Sequence, residues 1–332
     1  MSVEGGCGQP TQAYGVDIGG TKVAVGLVDA GGHIVRRAME PLEASGTSPE
    51  ITIAQVARLI HKVSDGGDEP RRPVGVGIPA VMDERRSRVV WAPNIPGWSD
   101  FPALDALSAV LGHDRVALEF DGITAVVAES WVGAARGGRD VVFLIIGTGI
   151  GAGLILGGRV HRGSTGMPGG VGWFAMDPAA LDDIRTRRAP HFEELCAGPG
   201  LLTTANAACS KRARFPDTQA LFEAYDRGDS TAVRSLVNAA SYVGMAVANM
   251  VSILNPDTVV IGGGIGLQYC KRPSLFTHIQ EMVSSLAQPA AAQAVRIMPA
   301  LLGPDAGVIG AAKTAMDRFG SCANSDRKDE MR

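Results

Sequence analysis

The sequence predicts an α/β protein built from two lobes that repeat one plan. The chain has 332 residues, enough for two domains of ordinary size, each with its own core. Short β-branched runs alternate with amphipathic helical segments, which is typical of α/β folds. A hairpin with a glycine-rich turn opens each half, at residues 14–28 and again at 141–156. This order predicts a duplicated fold with a cleft between the lobes.

The first half begins with three strands joined by turns. Residues 14–35 give a strand, a glycine turn, a second strand, a turn at 30–32 and a third strand. The elements expected next are a helix at 51–64, a strand at 74–78, a helix at 102–111, a strand at 116–120 and a helix from 121 to about 135. We place the first lobe at 14–118 and expect it to be completed by a helix at 304–318.

The second half repeats the opening hairpin with different residues. The elements expected here are strands at 141–146 and 154–156 around a turn at 147–153, a mixed region at 163–216, helices at 217–254, strands at 258–261 and 295–298, and a helix at 303–317. The second lobe is placed at 119–303. Residues 1–13 and 319–332 are polar and are expected to be flexible tails.

Composition excludes several classes of protein. A net charge of −3 gives no electrostatic footprint for nucleic acid or an anionic membrane. The five cysteines include no C-x-x-C pair, so neither a disulfide framework nor a zinc knuckle is indicated. The first residues lack the basic and apolar regions of a signal peptide. A glycine turn breaks the apolar run at 141–156, which favours two strands over a membrane span. We therefore expect a cytoplasmic protein.

The first turn, GVDIGGTKVAVGLVD at 15–29, excludes two common nucleotide loops. Its glycines lead into a second strand, whereas the dinucleotide fingerprint leads into a helix, and the P-loop pattern is absent. Glycines that let the backbone approach a phosphate, with Asp17 able to hold Mg²⁺ through water, favour a phosphate-binding turn. A plain hairpin turn without a ligand is the alternative.

Two further glycine clusters favour the phosphate interpretation. A second turn at 147–153 would allow a nucleotide to be held by both lobes, and GGG at 262–264 follows a buried strand and suits the base and ribose. The predicted nucleotide residues are Asp17, Gly19, Gly20, Thr21, Lys22, Gly147, Thr148, Gly149, Gly151, Gly262, Gly263 and Gly264.

Six motifs in order resemble the ROK family of sugar kinases and repressors. They are DIGGTK at 17–22, GIPAVMD at 77–83, APNIPGW at 92–98, GTGIGAG at 147–153, LNPDTVVIGGG at 254–264 and LGPDAGVIGAA at 302–312. The resemblance covers about residues 14–317. It implies the actin-like ATPase (ribonuclease H-like) fold, ATP and Mg²⁺ as cofactors, and a sugar-like small molecule as acceptor. We also expect a homodimer.

Asp121 is the candidate general base. Phosphoryl transfer needs a residue that accepts the proton of the acceptor hydroxyl, and Asp121 stands where a strand ends and a helix begins. The family carries Asn-Asp here, with the Asp as base and both residues on the sugar, whereas this chain has Phe120-Asp121. The alternative is that Asp121 merely caps the helix.

The acceptor side departs from the family pattern. The family's glycine loop leads into E-x-G-H, in which the Glu binds sugar hydroxyls and the His binds sugar and ligates a structural zinc. In this chain Gly170 replaces the Glu and Trp173 replaces the His. The zinc cysteines are also missing, so we expect no structural zinc. His191 and Cys196 remain nearby, but two residues do not make a site.

Two preserved residues are assigned to the acceptor by the resemblance. Glu193 falls on the family's last sugar-binding Glu, with a solvated helix residue as the alternative. Asn94 lies in the APNIPGW motif. The predicted acceptor residues are Asn94, Phe120, Asp121, Gly170, Trp173 and Glu193.

Loss of polar contacts predicts a poor fit for glucose, because unpaired hydroxyls are costly. The family includes kinases for C7-cyclitols, phosphorylated on the exocyclic hydroxymethyl in aminocyclitol antibiotic biosynthesis, so we favour a cyclitol or modified sugar. One alternative is an ordinary hexose or N-acetylhexosamine kinase. The other is a sugar-sensing regulator, although the thirteen residues before Tyr14 leave no room for the repressors' DNA-binding domain.

Overall fold

The computed structural model describes residues 11–43, 48–64, 72–92, 95, 97–166, 168–176, 191–209 and 214–320. Contacts divide the chain into two compact units. One contains the described residues of Met1–Val132, Arg162–Met167 and Pro304–Arg332, and the other contains those of Gly133–His161 and Pro168–Gly303.

The elements follow the chain in two sets. Up to residue 131 they are β1 (Gln12–Ile18), β2 (Lys22–Asp29), β3 (Ile34–Pro41), α1 (Pro49–Val63), β4 (Val74–Ile78), β5 (Val81–Met82), β6 (Val89–Trp91), α2 (Ala103–Leu111), β7 (Val116–Phe120) and α3 (Asp121–Trp131). The later elements are β8 (Val141–Ile146), β9 (Ile150–Leu156), β10 (Arg159–Val160), α4 (Phe192–Cys196), α5 (Gly198–Ala207), α6 (Thr218–Asp226), α7 (Ser230–Leu254), β11 (Thr258–Gly262), α8 (Gly264–Cys270), α9 (Pro273–Leu286), α10 (Pro289–Ala294), β12 (Arg296–Pro299) and α11 (Ala306–Gly320).

The two main sheets share one topology. The first has the order β3-β2-β1-β4-β7. The pairs β3–β2 and β2–β1 are antiparallel, whereas β1, β4 and β7 run parallel. The second has the order β10-β9-β8-β11-β12, again with an antiparallel side followed by parallel strands. This repetition confirms the predicted duplication and both predicted glycine hairpins.

Helix α11 packs unusually close to the first sheet. A Cβ at Gly15 would lie 1.9 Å from the carbonyl oxygen of Val308, and one at Gly75 would lie 1.7 Å from that of Ala311. On the other side of the helix, a Cβ at Gly310 would lie 1.7 Å from the carbonyl oxygen of Thr124 in α3. Only glycine fits at these three positions, so the closing helix predicted from the LGPDAGVIGAA motif is pressed against both β1 and α3.

The core of the second unit is built around α7. This helix is long and apolar enough to cross a membrane by length and composition alone. Its apolar face, including Leu236, Val243, Val247 and Val251, is nevertheless fully buried in the protein core. Burial of this kind is what a core helix shows.

Some boundaries differ from the predicted ones. The division between the units falls after Val132 and not at 118–122, because α3 packs on α11. Residues 150–153 belong to β9 and not to the turn, since Gly151 and Gly153 pair in register with Ile145 and Phe143. Helix α3 ends at Trp131 rather than near 135, and helices α8, α9 and α10 had no predicted counterpart. Of the predicted tails, β1 already begins at Gln12 and α11 continues to Gly320, while residues 1–10 and 321–332 lie outside the described ones.

Candidate active site

The first glycine turn joins β1 to β2. The amide of Gly19 donates a hydrogen bond of 2.9 Å to the carbonyl oxygen of Lys22, which closes the turn. Gly20 and Thr21 are exposed at its tip, and Asp17 and Lys22 are partly buried at its base. The structure therefore brings together all five residues that the sequence assigned to phosphate binding in this turn.

Asp17 lies directly against the start of α11. A Cβ at Gly307 would come within 2.7 Å of the Asp17 carboxyl carbon and 2.9 Å of both its oxygens. Glycine at this position is what leaves room for the carboxyl group. Burial raises the pKa of Asp17, and the positive charge of Lys22 opposes that rise.

Asp121 is the first residue of α3, and its carboxyl group has one oxygen engaged. Phe120, in extended conformation, precedes the helix and supplies no side-chain cap. Oδ1 of Asp121 accepts the amide of Gly122 at 2.7 Å, and the Asp121 carbonyl accepts the hydroxyl of Thr124 at 2.8 Å. Asp121 is therefore inside the helix rather than at its N-cap position, and its bond to the next amide is not the N2 or N3 bond of a capping residue.

The pKa of Asp121 distinguishes it from an ordinary cap. Burial, followed by the negative charge of Asp17, raises the pKa of Asp121 to about 7, and the Gly122 amide opposes this only in part. A capping carboxylate at an exposed helix end is expected to have a lowered pKa. Two coupled carboxyl groups, one poised near neutral pH, form the arrangement from which a general base operates.

The second glycine turn and the third glycine cluster lie side by side in the second unit. Gly147 donates its amide to the carbonyl of Gly149 at 2.9 Å, and its carbonyl accepts the amide of Gly198 at 2.8 Å. Gly263 has a φ of +81°, and a Cβ there would lie 2.4 Å from the carbonyl oxygen of Ile146, the residue before the turn. Gly262 ends β11, Gly264 begins α8, and Thr148 is exposed between β8 and β9. Gly151 lies in β9, outside the turn itself.

Glu193 is tied to the second glycine turn. Its Oε2 accepts the amide of Ile150 at 2.7 Å, and a Cβ at Gly149 would lie 2.7 Å from the same oxygen. The residue as a whole is exposed at the start of α4. The sequence assigned Glu193 to the acceptor, and the structure adds a backbone contact to the turn that it assigned to phosphate.

Gly170 directly precedes a short 3₁₀ turn at Val171–Trp173, and Trp173 is the last residue of that turn. Trp173 is 65% exposed, and its ring lies 5.0 Å from that of His191. A Cβ at Gly170 would meet nothing closer than Cδ1 of Trp173 at 3.9 Å, so the position has room for a side chain. Of the other predicted acceptor residues, Phe120 is partly buried at the end of β7, and Asn94 lies outside the described residues.

The residues left from the family's zinc motif do not converge. Cys196 is fully buried in the second core, its Sγ is 3.5 Å from the carbonyl oxygen of Ala239, and burial raises its pKa. Among the described residues, no group of three or more His, Cys, Asp or Glu side chains is arranged for a metal ion. Residues 177–190, which fall within the segment where the family has its zinc cysteines, lie outside the described part of the chain.

Sequence reasoning missed one buried charged group beside the candidate base. Glu119 is 1% exposed and stands directly before Phe120-Asp121. It binds the guanidinium groups of Arg86 and Arg162. An acidic residue within the otherwise apolar strand Val116–Phe120 was the available signal, because a buried carboxylate requires a partner.

Comparison with known proteins gives consistent matches over almost the whole chain. The ROK family profile matches residues 13–318. A glucokinase of Thermotoga maritima is 31% identical over 318 residues, which cover 92% of this chain and 98% of the relative. Among solved structures, a ROK hexokinase from Thermus thermophilus is 32% identical with a TM-score of 0.75, covering 92% of this chain and 98% of its own.

A second solved structure carries ligands. It is a ROK family glucokinase from Streptomyces griseus in complex with glucose and AMPPNP, 27% identical with a TM-score of 0.74, covering 92% of this chain and 99% of its own. Together with the repeated sheet topology, these matches confirm the predicted actin-like ATPase fold.

Proposed function

The chain belongs to the ROK family and is an ATP-dependent carbohydrate kinase, and on that premise we propose that its acceptor is a C7-cyclitol or a modified sugar, phosphorylated on a primary exocyclic hydroxyl. The reaction breaks the bond between the γ-phosphorus and the β,γ-bridging oxygen of ATP. It forms a bond from the acceptor oxygen to that phosphorus, and ADP leaves.

Asp121 is the proposed general base. Its Oδ1 accepts the Gly122 amide, which fixes the carboxyl group and leaves Oδ2 to accept the proton of the acceptor hydroxyl. A pKa of about 7 suits this role, because the group is substantially ionised at neutral pH and is still basic enough to take a proton. Thr124 holds the backbone of the same residue through its hydroxyl.

The three glycine clusters are the proposed nucleotide contacts. Backbone amides of Gly20 and Thr21, together with the Lys22 ammonium, would bind phosphate oxygens at the first turn, and Gly19, whose amide closes the turn, would let the backbone approach them. In the second unit Thr148 and Gly149 are proposed to contact phosphate, with Gly147 and Gly151 keeping the backbone around them open to it. Gly262, Gly263 and Gly264 are proposed to lie on the adenosine. The open surroundings of Gly147, Gly151 and Gly264, where a Cβ would meet no atom within 4 Å, support this.

The chemistry of Asp17 fits Mg²⁺. Magnesium is usually held by one or two carboxylates together with substrate phosphates, and Asp17 supplies an oxygen ligand in a space kept free by Gly307. When bound, the ion would neutralise charge on the transferred phosphoryl group. The task of the protein here is to hold the Asp17 carboxyl at the base of the phosphate turn.

The exposed indole of Trp173 is the observation that carries the acceptor proposal. An indole that is 65% exposed on a turn is a flat apolar face, and such a face binds the C–H side of a ring better than it binds hydroxyl groups. His191, 5.0 Å away, supports it from one side. Gly170 offers no polar group, and neither does the Phe120 side chain. These replacements favour a ring whose hydroxyl pattern differs from that of glucose at these three positions.

An ordinary hexose kinase is the second candidate, and Glu193 favours it. The carboxylate is exposed, and only Oε2 accepts the Ile150 amide, which leaves Oε1 for a sugar hydroxyl. The glucokinase matches point the same way.

One assay separates the two candidates. ATP consumption is measured with glucose, N-acetylglucosamine, N-acetylmannosamine and valiolone as acceptors. We expect valiolone to be the best of the four. A kcat/KM for glucose above about 10⁴ M⁻¹s⁻¹, within the range of ordinary enzymes, would establish the hexose kinase instead.

A further inference from the structure

Glu119 binds side chains from two distant segments of the first unit and the backbone of its own strand. Its Oε2 accepts Nε of Arg162 at 3.1 Å and Nη2 of the same side chain at 2.8 Å. Its Oε1 lies 3.2 Å from Nε of Arg86 and accepts the amide of Phe120 at 3.1 Å. A carboxyl group that is 1% exposed is costly to bury alone, so these four contacts are what compensate for its burial.

Two of these partners adjoin residues that the sequence assigned to the acceptor, and the third follows one of the six family motifs. Arg162 is the first residue of the glycine loop, the sequence RGSTGMPG at 162–169 that leads to Gly170 and Trp173. The amide of Phe120 is the last backbone donor before Asp121. Arg86 belongs to the turn that directly follows the GIPAVMD motif.

The Arg86 turn is itself held under strain. Arg86 has a φ of +54°, a region that side-chain-bearing residues adopt at a cost. The turn is kept closed by Asp83, whose Oδ1 accepts the amides of Ser87 at 2.7 Å and Arg88 at 2.9 Å. The side chain of Arg86 is only 14% exposed, so the strained turn delivers a buried guanidinium to Glu119.

A second contact joins two of the same segments. Gly166 has a φ of +80°, and a Cβ there would lie 2.8 Å from the carbonyl oxygen of Met82. The glycine loop therefore lies against the GIPAVMD segment at one point and is bonded to Glu119 at another.

We propose that Glu119 is a positioning residue for acceptor binding: with Arg86 and Arg162 it fixes the glycine loop, the 83–88 turn and the backbone that carries Asp121. This inference rests on the proposed function, because it takes these segments as the acceptor side. Glu119 touches no reacting group and acts through the backbone segments that it joins.

The test is a double-mutant cycle on Glu119→Gln and Arg162→Ala, with Arg159→Ala on the exposed end of β10 as the matched control. The acceptor is whichever of valiolone and glucose the wild-type enzyme phosphorylates better, so a failed cyclitol proposal leaves the test intact. We expect each single variant to raise the acceptor KM about tenfold, with KM for ATP changed by less than about twofold. The double variant should be no worse than the poorer single variant, because the two residues act as one pair.

Arg162→Lys keeps the charge but loses the two-pronged contact, and it covers the case in which Glu119→Gln fails to fold. Its acceptor KM should fall between those of the wild type and Arg162→Ala. Equal rises in both KM values, an unchanged acceptor KM, or additive effects in the double variant would overturn the proposal.

Discussion

Replacing Asp121 by Asn should remove activity and stabilise the protein at the same time. The folded protein raises the pKa of this carboxyl from 3.8 to about 7, so folding disfavours its charged form. The contribution of this group to the free energy of unfolding is therefore fully present below the unfolded-state pKa. It falls as the pH rises from about 4 to about 7, and it stays constant above that. Asn resembles the protonated carboxyl and escapes this loss, while its amide oxygen can still accept the Gly122 amide.

The size of the gain follows from the pKa change. At about 1.4 kcal/mol per pKa unit, the rise is equivalent to at most about 4 kcal/mol above pH 7. Because Asp121 is partly exposed and its charge is coupled to that of Asp17, we expect about 2–4 kcal/mol. This should raise the melting temperature by about 3–6 °C at pH 8, because a chain of 332 residues has an unfolding entropy of about 0.7 kcal/mol/K. The gain should fall by about half at pH 5, where most of the wild-type carboxyl is protonated.

The assay pairs thermal unfolding at pH 5 and pH 8 with steady-state kinetics. Asp114→Asn, an exposed acid in the loop before β7, is the matched control and should change neither stability nor rate. Asp121→Asn should lower kcat by about 10²–10⁴-fold with little change in ATP affinity. A variant that is less stable than the wild type at pH 8, or one with near-normal kcat, would refute the reasoning.

Three further predictions concern the proposed base, the proposed acceptor residues and the missing zinc. The negative charge of Asp17 helps to raise the pKa of Asp121, so Asp17→Asn should shift the acid limb of the pH profile of kcat/KM to lower pH, whatever its effect on the maximal rate. An acid limb that does not move would contradict the coupling between the two carboxyl groups. Restoring the family residues with Gly170→Glu and Trp173→His should raise kcat/KM for glucose about tenfold or more, since each regained hydrogen bond is worth about 1 kcal/mol. Trp173→Ala adds no polar group, so it should leave kcat/KM for glucose no higher than in the wild type. Purified protein should contain no stoichiometric zinc and should melt at the same temperature with and without chelator, and one tightly held zinc per chain found by metal analysis would disprove this.

The fold was largely predictable because the signals that specify it are local. Strands at 74–78, 116–120 and 141–146 have the predicted bounds, since each is a short buried run ended by glycine, proline or a helix start. The boundary between the units was misplaced because it depends on α11, which comes from the far end of the chain and packs on α3. No local pattern near residue 120 contains that information.

The candidate site divides in the same way. The glycine turns and Asp121 could be found from motif order. The pKa of Asp121 could not, because it depends on burial and on a carboxyl more than a hundred residues earlier in the chain. Glu119 was missed although its strand carries a signal, because its partners Arg86 and Arg162 come from distant segments and one of them needs a backbone conformation that no sequence rule suggests for arginine.

Gly170 and Trp173, which we propose to contact the acceptor, lie on a backbone that still makes close contacts possible only for glycine. This favours altered specificity over loss of function. Gly169 has a φ of +78°, and a Cβ there would lie 2.0 Å from the carbonyl oxygen of Ala152. A Cβ at Gly172 would lie 2.5 Å from the carbonyl oxygen of Ile150, whose amide binds Glu193. Side chains at either glycine would push the turn that carries Trp173 off β9. A site that no longer bound a ligand would have no need of these glycines, whereas a site that binds a different ring needs the same frame with different groups attached to it.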